Sequence, residues 1–257
     1  MVSGDATLAA LWPASLEAGR YAAMGALVFA GACLQGVGGL GFSMFCAPVA
    51  LLIFPELVPG PLLALGCPLA LLAGVREFGA IKWGTAGYTL VGRALGAALA
   101  TVVLQMLSGP TLSILFALLI LTGVALSVRG WVVDITPAAS TTAGIASGLM
   151  GTITSAGAPP LAITMQNLPP APLRATLGCV FFVGSVMSLV ALAAAGKTDV
   201  QQLLIGVLLM PWMVAGFFAS GPLARRMSRT GVRKMLLSLA TLSALAVLAQ
   251  SFVQSHA

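Results

Sequence analysis

Long uncharged runs dominate the pattern of hydrophobic and polar positions along this chain. Most of the runs are about 20 residues long, which is the length that an α-helix needs to cross the hydrocarbon core of a bilayer. The pattern therefore predicts an all-α polytopic membrane protein. Cutting the sequence at charges, glycines and prolines gives six helices, at 57–75, 83–107, 110–128, 175–196, 202–224 and 235–254.

Two further uncharged runs are too long for a single crossing. Residues 21–54 and 135–173 carry no charge over 34 and 39 positions, respectively. A straight helix of the first length would extend about 50 Å, against about 30 Å of hydrocarbon. Each run has a centre rich in glycine and proline, "GVGGLGFSMFCAP" in the first and "GLMGTITSAGAPP" in the second. We therefore predict that each run is a broken helical hairpin that turns back at its glycine-rich centre.

The two halves of the chain repeat each other at an offset of 112 residues. The matched pairs are Gly36 with Gly148, Gly39 with Gly151, Pro48 with Pro160, Gly66 with Gly178, and Cys67 with Cys179. Chance matching of common glycines is the alternative, but the pairs keep their order in two separate blocks. We predict an N-terminal segment at 1–19, a first repeat at 20–130 and a second repeat at 131–257. Each repeat is one hairpin followed by three transmembrane helices.

The basic residues predict how the repeats are oriented. If each hairpin enters and leaves the membrane on one side, the loops with Arg76 and Lys82, Arg129, Arg174 and 225–234 all lie on the same face. A single crossing would place Arg76, Lys82 and Arg129 on the face opposite 225–234. Because basic loops stay in the cytoplasm, the hairpin arrangement is favoured. It makes the two repeats inverted, with hairpin tips that meet near the membrane midplane.

Composition excludes several classes of function. The chain is 59% hydrophobic and 7% charged, with a mean hydropathy of +1.07. The net charge of +6 fits cytoplasmic loops better than nucleic-acid binding. Four dispersed cysteines and one histidine near the C-terminus predict no metal site, and no spacing indicates a nucleophile with its base. We expect no cofactor and no enzymatic activity.

The two hairpin tips are the candidate binding site for a small anion. A helix that restarts after a break presents free N–H groups and a partial positive charge, and glycine lets a ligand approach the backbone. The alternative is that the glycines only allow close helix packing. The substrate-binding residues predicted at the tips are Gly38, Gly39, Gly41 and Ser43 in the first, and Thr154, Ser155 and Gly157 in the second.

Arg93 is a further candidate, because it is a cation deep inside the predicted helix 83–107. A charge at that depth costs about 2.5–3.5 kcal/mol on the insertion scale. Two interpretations remain open. Arg93 either reaches the membrane surface or binds carbonyls of a neighbouring broken helix, or it attracts the anion.

The glycine-rich motifs, with "IKWGTAGYTLVGRALGAAL" and "GFFASGPLARRMSRTGVRKMLLSLATL", resemble the TauE/SafE sulfite exporter family over about residues 20–253. The resemblance implies transport of small sulfur-containing anions such as sulfite or organosulfonates. It predicts a multi-pass protein of the cell (inner) membrane whose partners are a small anionic substrate and the lipid bilayer, with a homodimer left open.

The acidic residues bear on the energy source. All six lie at predicted helix ends or in loops, so we expect no carboxylate relay within the membrane and predict export driven by the membrane potential. The alternatives are another organic anion such as a carboxylate, a proton-coupled importer, and an intramembrane enzyme or assembly factor.

Overall fold

The computed structural model describes residues 17–38, 41–107, 109–129, 133–224 and 229–256. Within these ranges the chain is helical apart from short connections, which include 3-10 turns at Pro55–Leu57 and Phe78–Ala80. The α-helices are α1 Ala18–Gly38, α2 Phe42–Ile53, α3 Gly60–Val75, α4 Trp83–Met106, α5 Gly109–Arg129, α6 Pro137–Thr154, α7 Ala158–Met165, α8 Pro170–Ala194, α9 Val200–Ala224 and α10 Arg229–His256.

Helices occur at the six predicted positions, as α3, α4, α5, α8, α9 and α10. The largest differences are at two helix starts, since α8 begins at Pro170 rather than 175 and α10 begins at Arg229 rather than 235. The prediction began each of these two helices directly after a charged residue, Arg174 or Lys234. Helices continue through charges near their ends, and the prolines at the start of α8 occupy its first turn, where no backbone hydrogen bond is lost.

The predicted breaks in the two long runs are also confirmed, between α1 and α2 and between α6 and α7. The first run folds back on itself. Arg20, at the start of α1, donates from Nε to Glu56 Oε1 over 2.8 Å, just after α2 ends. Midway along, the Cys46 thiol donates to the Leu27 carbonyl at 3.6 Å. The two ends of this run therefore lie together, with the break at the far end of the hairpin.

The second run has defined signals at its start and at its break. Thr136 caps α6, its hydroxyl accepting from the Ala139 N–H at 3.1 Å. The helix ends at Ser155, which has a left-handed backbone conformation with φ of 62°. The Ser147 hydroxyl then donates to the Gly157 carbonyl at 2.6 Å, and this bond ties α6 to the start of α7.

The two breaks lie at different levels of the helix bundle. The Ser155 hydroxyl donates to the Pro59 carbonyl at 2.9 Å, so the second break is level with the start of α3. Gly36 instead packs against Ser220, near the end of α9. Because Gly206 of α9 packs against the start of α3, α3 and α9 begin at the same end of the bundle. The tips are therefore offset along its axis and do not meet at one level as predicted.

Glycines bring α4 and α6 into backbone contact. Gly92 and Gly96 of α4 face Gly144 and Gly148 of α6, and a Cβ atom at any of them would overlap a backbone oxygen of the other helix. Small residues allow such close crossings in membrane helices. This crossing fixes the position of Arg93 on α4 relative to the second hairpin.

We expect Gly96→Ala to destabilise the protein. The added methyl group would lie 2.8 Å from the Leu149 nitrogen and would overlap the Ile145 carbonyl oxygen, so the helices must separate. Overpacking of this kind costs about 1–3 kcal/mol. The melting temperature of the detergent-solubilised protein should fall. Gly87→Ala is the matched control on α4, because no atom lies within 4 Å of the added group, and an equal effect of both variants would contradict the prediction.

The outward face of α4 is more apolar than its inward face. Val91, Leu95, Leu99 and Val102 are 52–59% exposed, whereas the buried positions of α4 include Thr89, Arg93 and small residues. This is the reverse of a soluble helix, and it suits a helix whose outer face contacts lipid. Among the described residues, four helices are long and apolar enough to cross a membrane: Trp83–Met106, Thr111–Arg129, Pro170–Ala194 and Val200–Gly221.

Candidate functional site

A cavity lies between the two helix breaks and encloses about 550 Å³ of space between atoms, including its open mouth. The segments that line it are the two break regions, α3, α4 and α8. The predicted site residues Gly41, Ser43, Arg93, Ser155 and Gly157 all line this one cavity. The structure thus brings together residues from both repeats that are more than 100 positions apart.

Arg93 is the charged residue of the cavity wall. Its side chain is 2% exposed and does not extend to the membrane surface. Nη1 donates to the Ser147 hydroxyl at 2.6 Å, and the guanidinium lies 5.7 Å from the centre of the Phe181 ring. A Cβ atom at position 184 would overlap the guanidinium, so the glycine there makes room for it.

The guanidinium is only partly satisfied by the protein. Arg93 Nε is buried and has no hydrogen-bond partner among the described residues. The salt bridges among the described residues join Arg20 with Glu56 and Arg174 with Glu77, and neither involves Arg93. A buried cation without a countercharge is costly, and an anion beside it would recover much of that cost.

The first break differs from the sequence prediction in its hydrogen bonding. The Gln35 side-chain oxygen accepts from the backbone N–H groups of Gly41 and Phe42, at 2.6 and 3.1 Å. These donors are therefore occupied by the protein. The next residues, Ser43 and Met44, line the cavity in the first turn of α2, where N–H groups have no carbonyl partner within their own helix.

The prediction for this first tip also included Gly38 and Gly39. Gly38 is the last residue of α1, directly before the break. Gly39 lies outside the residues that the structure describes.

The second break offers fewer backbone donors than we predicted. Pro159 and Pro160 follow Ala158 in the first turn of α7, and proline has no N–H group. Thr154 is fully buried, donates to the Met150 carbonyl at 2.7 Å and accepts from the Ala156 N–H at 3.1 Å. Thr154 is not among the residues that line the cavity, and its hydroxyl holds the break together.

Gly157 lines the cavity, but its missing side chain serves helix packing. A Cβ atom there would lie 2.5 Å from the Ser147 carbonyl oxygen and 3.1 Å from Gly151 Cα. It would point toward α6 rather than into the open space. At this position the geometry supports the alternative interpretation, in which the glycine allows close packing.

The sequence-based prediction missed Ser185 and Gly66 in the cavity wall. Ser185 lies on α8 and is 7% exposed, and its sequence signal is a hydroxyl in the middle of a largely apolar helix. The sequence signal of Gly66 is its match with Gly178 in the repeat. A Cβ atom at Gly66 would have a single neighbour, the Ser185 hydroxyl oxygen at 4.0 Å, so it would project into free space.

The family model described as Sulfite exporter TauE/SafE matches residues 23–247, which include every segment of the cavity wall. The chain belongs to the TauE/SafE family. This confirms the resemblance given by the glycine-rich motifs. No curated protein and no solved structure matches the chain.

Membership of the TauE/SafE family places the chain in a family of membrane transporters for sulfite and related sulfur anions. The long apolar helices with outward-facing apolar side chains suit that setting. A transporter family is also consistent with the expectation that the chain is not an enzyme.

Proposed function

We propose that this TauE/SafE protein is a secondary transporter that exports a small sulfur-containing oxyanion, such as sulfite or an organosulfonate, and binds it in the cavity beside Arg93. The observation that carries the proposal is the buried guanidinium in the cavity wall, whose Nε has no hydrogen-bond partner and which pairs with no carboxylate among the described residues. Such a group needs an anionic ligand to be fully satisfied.

The cavity wall supplies the donors that an oxyanion requires. A guanidinium presents its N–H groups in a planar fork that matches two oxygens of an oxyanion. Hydroxyls of Ser43 and Ser185 line the same space, together with the first-turn N–H groups of α2. Ser147 accepts from Nη1 and so fixes the position of the guanidinium in the cavity wall.

The proposed mechanism uses two inverted repeats. Contacts at the two ends of the bundle support it, because Arg20 with Glu56 closes the base of the first hairpin, while Lys82 N–H meets the Thr176 hydroxyl at 3.0 Å, where α4 and α8 begin. The end of the bundle where α4 and α8 begin carries most of the basic residues, which favours a cytoplasmic location for that end. Each hairpin then reaches the cavity from its own side of the inner membrane.

The transporter is expected to respond to the membrane potential. The described acidic residues lie at helix ends or in connections, so none supplies a proton relay beside the cavity. An anion leaving a negative interior gains about 2.3 kcal/mol per charge per 100 mV. The measurement is sulfite flux in proteoliposomes under a valinomycin-imposed potassium potential, with net negative charge expected to move toward the positive side.

The same assay separates this mechanism from its alternative. Proton and sodium gradients are imposed in turn without a potential. Flux that ignores the potential and follows the proton gradient would overturn uniport and indicate symport of a protonated anion. Absence of flux under every gradient would contradict the proposed function itself.

A carboxylate is the alternative substrate class, because a guanidinium also binds carboxylates bidentately. Competition against sulfite by sulfate, thiosulfate, taurine, sulfoacetate and acetate ranks the two classes directly. We expect the sulfur oxyanions to compete at lower concentration than acetate. Stronger competition by acetate would assign the cavity to carboxylates.

A further inference from the structure

A second cavity, which we call the vestibule, adjoins the cavity beside Arg93. It also encloses about 550 Å³ with its mouth. The residues of its wall are Gln35, Gly36, Ala70, Ala73, Arg76, Arg174, Gly178, Phe181 and Phe217. Gln35, Ala70 and Phe181 line both cavities, so one layer of side chains separates them.

The charges of the vestibule are uneven. Arg174 is paired with Glu77, with Nε at 3.1 Å from Oε2, and this pair is electrically close to neutral. Arg76, at the end of α3, is exposed and has no salt-bridge partner among the described residues. The vestibule therefore carries an excess positive charge at its mouth, and a cavity lined by one sign of charge concentrates ligands of the opposite sign.

Phe181 connects the vestibule with the proposed binding site. Its ring lies on the Arg93 guanidinium, 5.7 Å from Cζ to the ring centre, and forms part of both walls. An anion that passes Phe181 would exchange the charge of Arg76 for that of Arg93. The two cations then form successive positions along one path.

We propose that the vestibule is the access route from the cytoplasmic face to the cavity, and that Arg76 forms an outer site that captures the anion before it reaches Arg93. The proposal rests on the proposed function, since it assumes an anion at Arg93. It adds an outer binding site on α3 and a direction of approach between α3 and α8.

Charge variants test the outer site, because removing a positive or a negative charge should change the KM for sulfite in opposite directions. In sulfite uptake assays driven from the Arg76 face, Arg76→Gln should raise the KM about two- to tenfold at low salt, because one attractive charge is removed. Glu77→Gln removes a negative charge from the same mouth and should lower the KM. Lys197→Gln, at the opposite end of α8, is the matched control and should leave the KM unchanged.

Salt dependence separates electrostatic capture from a structural effect. Between about 0.01 M and 1 M potassium gluconate the Debye length falls from about 30 Å to about 3 Å, so the KM values of the Arg76 and Glu77 variants should converge on that of the unmodified protein. Equal KM values for all four proteins at low salt would overturn the proposal. Shifts of the same sign for Arg76→Gln and Glu77→Gln would overturn it as well.

A steric variant tests the route independently of charge. Ala73→Cys, in a background without the native cysteines, is labelled with a bulky maleimide, which should block flux because position 73 lines the vestibule. Gly79→Cys is the labelling control, since it is exposed with no atom within 4 Å of its Cβ position. Full flux through labelled Ala73→Cys would place the route elsewhere. These experiments compare variants of a protein that transports sulfite. A negative result for the outer site is therefore distinct from an absence of transport.

Discussion

Arg93→Gln is expected to lower the apparent affinity for sulfite about 10- to 100-fold, because hydrogen bonds to charged groups contribute about 1.5–3 kcal/mol each. Glutamine carries no charge and is shorter than arginine, so it lacks both the cation and the fork of donors. The sulfite affinity of Arg93→Lys should lie between those of the unmodified protein and Arg93→Gln, since an ammonium keeps the charge without the fork of donors. The measurements are the KM of flux in proteoliposomes and the dissociation constant for the purified protein.

Stability provides the control for this substitution. The guanidinium is buried with Nε unpartnered, so removing it should leave the melting temperature without anion unchanged or raised. At the same concentration, sulfite should raise the melting temperature of the unmodified protein more than that of Arg93→Gln. An Arg93→Gln protein with undiminished affinity would show that the residue is structural and that the anion binds elsewhere.

Enlarging Gly66 is expected to abolish transport without unfolding the protein. The Cβ position at Gly66 faces the cavity, with the Ser185 hydroxyl oxygen at 4.0 Å as its nearest neighbour. Flux should therefore fall along the series Gly66→Ala, Gly66→Val and Gly66→Leu as the side chain fills the space of the ligand. The melting temperature should not fall, because no packed atom is displaced.

Two other glycines serve as comparisons for this series. Gly87→Leu lies on an exposed face of α4 with open space around it, and it should retain flux. Gly157→Leu should lose stability as well as flux, because its side chain would collide with the Ser147 carbonyl oxygen. Full flux in Gly66→Leu would remove the cavity from the transport path.

The helix breaks were predictable because length and residue type act together. An uncharged run of 34 residues exceeds one crossing, and glycines mark where the chain can turn. The uncharged runs also place Ser43 and Ser155 at the two predicted tips, and both line the cavity. What could not be predicted is the offset of the tips, which depends on how α1 packs against α9 and on the hydrogen bond from Ser155 to Pro59.

The finer errors have a common physical origin. Sequence shows that Gly157 lacks a side chain, but only the fold shows that the missing atom faces α6 rather than the ligand. By residue type Gln35 is equally able to cap the backbone or to contact substrate, and six residues of chain bring its oxygen to the Gly41 N–H. Ser147 is a partner of Arg93 only through the glycine crossing of α4 with α6.

The hydrogen bonds of the Ser147 hydroxyl bear on how anion binding is coupled to the position of the second hairpin tip. It accepts from Arg93 Nη1 and donates its single proton to the Gly157 carbonyl, so the cation and the second hairpin tip share one atom. If an anion binds more tightly to one position of this tip, the position of the tip changes the anion affinity by the same factor. In an exporter whose second tip moved during the cycle, such reciprocity would make release easier after the movement. A single oxygen atom on α6 contacts both the Arg93 cation and the second tip.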